Sequence, residues 1–196
     1  MELTINGIKT HTKTVLTHRF WVCYYCHSVG LFWRGLTHDL SKFHPTEFIA
    51  GCKYANGTKS PIDIEKEMNN GVSVAWQHHK GRNSHHYEYW QDDFNDGTTH
   101  LVMPFEDTLE MLCDYLGAGK AYMKDKFTYE AEQKWWENKK KTLKAMNPVQ
   151  VMFLDIAFTG LVKQNSMWTK KQYLKLYKLC QYAVANKDAE IVFEGE

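Results

Sequence analysis

Ten histidines stand in this chain of 196 residues, and their order matters more than their number. His11 and His18 come first, then the adjacent pair His38-Asp39 in THDLSKF, then the run WQHHKGRNSHHYEYW, and last Asp114 in EMLCDY. An imidazole beside a carboxylate, with further imidazoles on both sides and a late aspartate, is a mixed nitrogen and oxygen donor set. Such a set suits one or two divalent transition ions (Mn, Fe, Co, Ni or Zn) better than calcium or magnesium. Helical spacing tests whether the groups can meet. His11 and His18 are seven residues apart, close to two turns, and share a face. If the middle run is helical, His79, Asn83, His86 and Trp90 form one stripe, and His78, Arg82, His85 and Tyr89 form its neighbour. Gly81 weakens that helix. Glu110 and Asp114 are one turn apart and can present two carboxylates together.

The elements that must position these groups read as helices, and alternating strand patterns are nearly absent. Helices are expected over about 8–29, 31–37, from His38 towards Gly51, and over 62–80. The Asn-Gly and Ser-Pro steps make Lys53 to Pro61 a loop, and Asp92 to Thr99 reads as an exposed polar turn. Pro104 with Glu106 and Asp107 starts a helix that carries Leu109, Leu112, Asp114 and Leu116 to about Tyr122. Three more are expected at about 128–145, 148–163 and 169–186. The fold class is all-α.

Composition narrows the function classes. With 43% apolar and 14% aromatic residues the chain has the means to build a core, which excludes disorder. Uncharged runs such as Phe20 to Trp33 are too short to span a bilayer, and MELTINGIKTHTK lacks the apolar core of a secretory signal. The expectation is a cytoplasmic protein without a membrane partner. Five scattered cysteines fit reduced thiols, and Cys23 with Cys26 reads as two small residues on one helix face. Residues 1–119 net −4, residues 120–180 net +8 and the last 16 net −3, so a histidine-rich acidic part adjoins a basic part. That asymmetry would attract an anion, or it reflects lysines solvating the outer helices. Trp135-Trp136 before Lys139, Lys140 and Lys141 has the mix used by single-strand binders, or is an amphipathic helix. No GxSxG, GxGxxG or HExxH is present, and Gly117-Ala118-Gly119-Lys120 is no P-loop but lets two helices approach closely. His27, His44 and His100 lack matching partners and read as structural or exposed.

The order His, His-Asp, His, His, Asp over residues 8–124 resembles the HD-domain metal-dependent phosphohydrolases. HDLSK is similar to that family's HDxGK, with Ser41 in the glycine's place, and His85-His86-Tyr87-Glu88 resembles the second histidine pair of the branch that cleaves cyclic dinucleotides, without its GYP signature. The arrangement of GLFWRGLTHDLSKFHPTEF, NSHHYEYW and MPFEDTLEMLCDYLGAGKA is most similar to an uncharacterised HD-like family of bacteria and phages.

The resemblance implies an HD-like helical bundle over 1–124 with a helical extension, 125–196, packed on it as one continuous domain. It implies metal ligation by His38, Asp39 and Asp114, with His18 or His11 from the first helix and His79 and His86 from the middle run. His78 and His85 are then spares or substrate contacts, and Glu110 orients a ligand. Lys42 would stabilise phosphate charge, and Arg34, Arg82, Asn83 and Lys120 are candidate substrate contacts. The leading expectation is hydrolysis of a small phosphorylated substrate, a nucleotide above all. The alternatives are a mixed-valent di-iron oxygenase of the same fold and a non-catalytic binder of nucleotide or nucleic acid.

Overall fold

The computed structural model describes residues 2–93, 97–143, 145–187, 193 and 195. It is mainly α-helical. The helices are α1 (Ile5–Ser28), α2 (Phe32–Thr37), α3 (Pro45–Tyr54), α4 (Pro61–Met68), α5 (Val74–Lys80), α6 (Phe105–Met123), α7 (Tyr129–Lys140), α8 (Pro148–Gln164) and α9 (Lys170–Ala185). One small hairpin, β1 (Gln91–Asp93) with β2 (Thr98–His100), pairs antiparallel with Gln91 opposite His100. It lies where a polar turn was expected, and residues 94–96 of that turn are outside the described residues. No described helix is long and apolar enough to cross a membrane.

Local chemistry sets the helix starts. Thr4, Ser73, Thr128 and Asn147 each accept a backbone N–H from the first turn of α1, α5, α7 and α8. Thr169 and Gln172 close a capping box on α9, and Pro45, Pro61 and Pro148 occupy first-turn positions where no N–H is needed.

Two expected helices are broken, each for a local reason. The span 62–80 divides into α4 and α5 because Asn70 (φ 53°) and Gly71 (φ 87°) turn left-handed. The helix expected from His38 is interrupted too. There α2 stops at Thr37, Asp39 is left-handed (φ 53°), residues 40–43 form a single 3-10 turn, and Pro45 starts α3 afresh.

The centre of the molecule is α6, whose residues 107–114 are all buried. Leu109, Leu112 and Leu116 join Val22 and Tyr25 of α1, and Trp136, Phe153, Phe158 and Tyr173 of α7 to α9, in one hydrophobic cluster. Residues on both sides of position 124 therefore build a common core, and each large side chain in it contributes roughly 1.5–3 kcal/mol. α6 lies close against α1 at Gly117, where a Cβ would fall 2.4 Å from Val22 Cγ2. That close approach brings His18 of α1 beside Asp114 of α6. α3 and α5 close the other side of the same space.

Candidate metal centre

The His38-Asp39 turn is built by its neighbours. Gly35 lets α2 lie on α1, since a Cβ there would sit 2.6 Å from Cys26 Cβ. Arg19 reaches across from α1, donating from Nε to the His38 carbonyl at 2.8 Å and from Nη2 to the Leu36 carbonyl at 2.9 Å. These bonds satisfy carbonyls at the end of α2 that have no helical partner. The left-handed Asp39 costs about 1 kcal/mol, and aspartate is among the few residue types that enter that region readily. With that turn made, both side chains enter the buried space between α1, α5 and α6.

Two groups of four donors form there and share Asp39. In the first, His18 Nε2 lies 3.1 Å from Asp114 Oδ1, 3.3 Å from His38 Nε2 and 3.5 Å from Asp39 Oδ2. His38 Nε2 is 3.3 Å from Asp114 Oδ1 and 3.4 Å from Asp39 Oδ2. In the second group, Asp39 turns its other oxygen, Oδ1, to His79 Nε2 and His85 Nε2, both at 3.4 Å, and His86 Nε2 lies 2.8 Å from His79 Nε2. Asp39 Oδ1 and His85 Nε2 are buried and make no hydrogen bond. Orphaned buried polar atoms of this kind call for a partner. These groups could hold a metal ion.

The rings are aimed from behind. Glu110 Oε1 lies 3.0 Å from His38 Nδ1 and 3.3 Å from His85 Nδ1. Burial alone would raise the Glu110 carboxyl, but its bonds to His38 and His85 bring it down to about 2. An ionised carboxylate only accepts, so each Nδ1 carries a hydrogen, and a bound metal ion would take the place of any proton on Nε2, which faces the shared space. Glu47 does the same for His79, with Oε2 2.7 Å from Nδ1, and binds His78 Nδ1 at 2.5 Å. Burial opposes ionisation of Asp39 and Asp114. The charge of His38 on Asp39, and the hydrogen bonds of His18 and His38 to Asp114, outweigh it and hold both well below the usual carboxylate range. His86 is driven well below its ordinary value by burial, then by His85 and His79, so it is neutral and free to donate a lone pair. Lys42 pairs with Asp39, whose charge keeps the ammonium protonated against burial.

His18, His38, Asp39, His79, His86 and Asp114 thus come together, and His85 joins them. The stripe argument favoured His86 over His85, but α5 ends at Lys80 and an irregular turn follows, so adjacent histidines can point to one place. His11 belongs to neither donor group. His78 is held by Glu47 and stacks on His44 at 4.3 Å. The proposed substrate contacts lie elsewhere. Arg34 is bound to Asp107 at 2.8 Å and Glu110 at 2.9 Å, behind the rings. Asn83 turns inward, donating to the His79 carbonyl at 2.7 Å and to Ser41 Oγ at 2.8 Å, while Arg82 stays exposed. Lys120 sits over the Trp21 and Phe127 rings. Trp136 is fully buried, with Nε1 donating to Asp155 at 2.7 Å, and has no face for a base.

Glu47 and Arg19 escaped the sequence reading. Glu47 stands at the third position after the cap of α3, where a glutamate ordinarily serves the helix end, and nothing in its spacing betrays contact with α5.

A cavity of about 200 Å³ opens onto the donors, with His18, His79, His86, Asp114 and Lys42 in its lining. Of the described residues in the basic region 120–180 only Tyr122 lines it, because α7 to α9 pack on other faces of α6.

Residues 7–159 match a family of unknown function, DUF5662. The chain belongs to DUF5662. The match spans every donor named above and continues past residue 124 into α8. No curated protein and no solved structure matches the chain.

Proposed function

We propose that this DUF5662 protein is a metal-dependent phosphohydrolase of the HD-like kind, acting on a small phosphorylated substrate. The observation that carries the reading is the sharing of Asp39 between two buried four-donor groups, one on each carboxylate oxygen. Five imidazoles and two carboxylates favour divalent transition ions over calcium or magnesium. Ions held there supply Lewis acidity towards water and a phosphoryl oxygen.

The chain's own residues do the rest. Glu110 and Glu47 fix imidazole tautomers, so the donors are set before any ligand arrives. Lys42 carries the positive charge nearest Asp39 and can neutralise a phosphoryl oxygen as charge develops on it. A ligand seated among the apolar side chains of the cavity would displace water from beside the donors, which strengthens each of these interactions.

The test is metal analysis of anaerobically purified protein, followed by assays for phosphate release from phosphomonoesters and nucleotides and for oxygen uptake. Bound transition metal with phosphate release is expected. Oxygen uptake without phosphate release would replace this reading with the di-iron oxygenase, and tight nucleotide binding without turnover would replace it with a binder.

A further inference from the structure

The cavity holds more than its donors require. Above them it is lined by Val15, Ala50, Ile62, Ala75, Ala118 and the indole of Trp76. Among the described residues, Lys42 is the sole lysine or arginine in the lining, and it already faces Asp39. A ligand here meets one cation at one end and, over the remainder, these apolar side chains with the hydroxyl of Tyr122 and the carboxylates Glu47 and Glu65. A row of phosphates would set its outer charges against apolar surface and these carboxylates, a cost that no second lysine or arginine in the described lining offsets.

His11 stands in the same wall, seven residues before His18 on α1, about 10 Å along the helix axis. It is 6% exposed, and neither ring nitrogen has a hydrogen-bond partner. Gly51 leaves the ring its space, since a Cβ there would fall 2.2 Å from it, and Phe48 packs edge-on with centroids 5.5 Å apart. Burial first, then the charge of Lys42, hold its pKa at about 4 against the pull of Glu47. The ring is therefore neutral, with one donor and one acceptor, both unused. An imidazole so placed is expensive to keep unless something bonds to it.

We infer that the cavity takes a phosphomonoester with a single phosphoryl group and one uncharged heterocycle, a nucleoside monophosphate by chemical class, and that His11 is the specificity residue for the heterocycle's hydrogen-bonding edge. The inference rests on the phosphohydrolase reading and narrows it. The phosphoryl group lies at the Lys42 end. The separation of His11 from His18 along α1 suits a sugar-sized spacer between a phosphoryl group at the donors and a ring at His11.

Binding decides the matter without turnover. The full chain, loaded with Mn²⁺, is titrated calorimetrically with uncleavable 5′-methylenephosphonate analogues of nucleoside mono- and triphosphates, and with orthophosphate. At least one monophosphate analogue is expected to bind tenfold or more tighter than orthophosphate and than its own triphosphate counterpart. His11→Phe should abolish that tenfold preference while orthophosphate binding stays within twofold. His11→Gln, which keeps a donor and an acceptor, should restore part of it and also covers a failure of the Phe variant to fold. Equal binding of the triphosphate analogue, or Phe and Gln variants that behave alike, overturns the inference and leaves the phosphohydrolase reading standing. If neither orthophosphate nor any analogue binds the loaded chain, both fall together.

Discussion

Glu110 Oε1 lies 3.0 Å from His38 Nδ1, on the opposite side of the ring from the nitrogen that faces Asp39 and Asp114. The same oxygen serves His85, so one carboxylate orients a ring in each donor group. Arg34 holds the other oxygen at 2.9 Å and fixes the carboxylate in turn. Glu110→Gln can present an N–H to Nδ1 where an acceptor is needed, and so favours the wrong tautomer. Metal affinity is expected to fall by about 10–100-fold, measured by competition with a chelator, with helicity unchanged. Affinity within twofold of the parent would show that the rings are aimed without Glu110.

Sharing Asp39 makes the two groups separable by substitution. His18→Ala removes a donor from the first group alone, and His79→Ala removes one from the second alone. Each variant should lose about one equivalent of metal, while Asp39→Ala should lose all of it, as read by elemental analysis beside circular dichroism. Equal loss in the three variants would mean that a single ion uses the whole set.

The His38-Asp39 pair was legible because adjacent residues need no tertiary information to be neighbours. His18 and Asp114 were legible through helix faces, and the structure sets them 3.1 Å apart across the contact of Gly117 with Val22. His85 was undervalued, because a stripe argument presumes a continuous helix and α5 ends at Lys80. Arg34 was misplaced for a different reason. A cation near a metal motif looks like a phosphate ligand, yet here three carboxylates of α6, Glu106, Asp107 and Glu110, take its donors. Such pairings depend on how α2 meets α6, which no local pattern encodes.

Glu132 of α7 is buried against Gly119, and its Oε2 has no hydrogen-bond partner. Burial, then the negative charge of Asp114, push its pKa up to about 8. Its carboxyl keeps its proton in the folded chain between the ordinary value of 4.5 and about 8, while the unfolded chain loses it. The folded state binds more protons over that window, so this group's effect is a loss of stability as pH rises through it. Glu132→Gln removes the ionisation. The variant should gain on the order of a few kcal/mol relative to the parent at pH 8 and little at pH 4.5, measured by urea unfolding. A difference that does not change with pH would place the carboxyl in water.

Gly117 is where the stability of the fold and the geometry of the donors meet. A methyl group there would lie 2.4 Å from Val22 Cγ2 and 3.0 Å from the Val22 backbone nitrogen, and backbone cannot swing aside as a flexible side chain can. Gly117→Ala must therefore push α1 away from α6. Its better helix propensity recovers only about 1 kcal/mol, against overpacking that costs typically 1–3 kcal/mol. The displacement falls on His18 and Asp114, which α1 and α6 carry on either side of the first donor group. A lowered midpoint of thermal unfolding is expected together with weaker binding of one metal equivalent, the second remaining in place. A variant that unfolds earlier yet binds both equivalents as the parent does would show that the donor groups tolerate movement of α1.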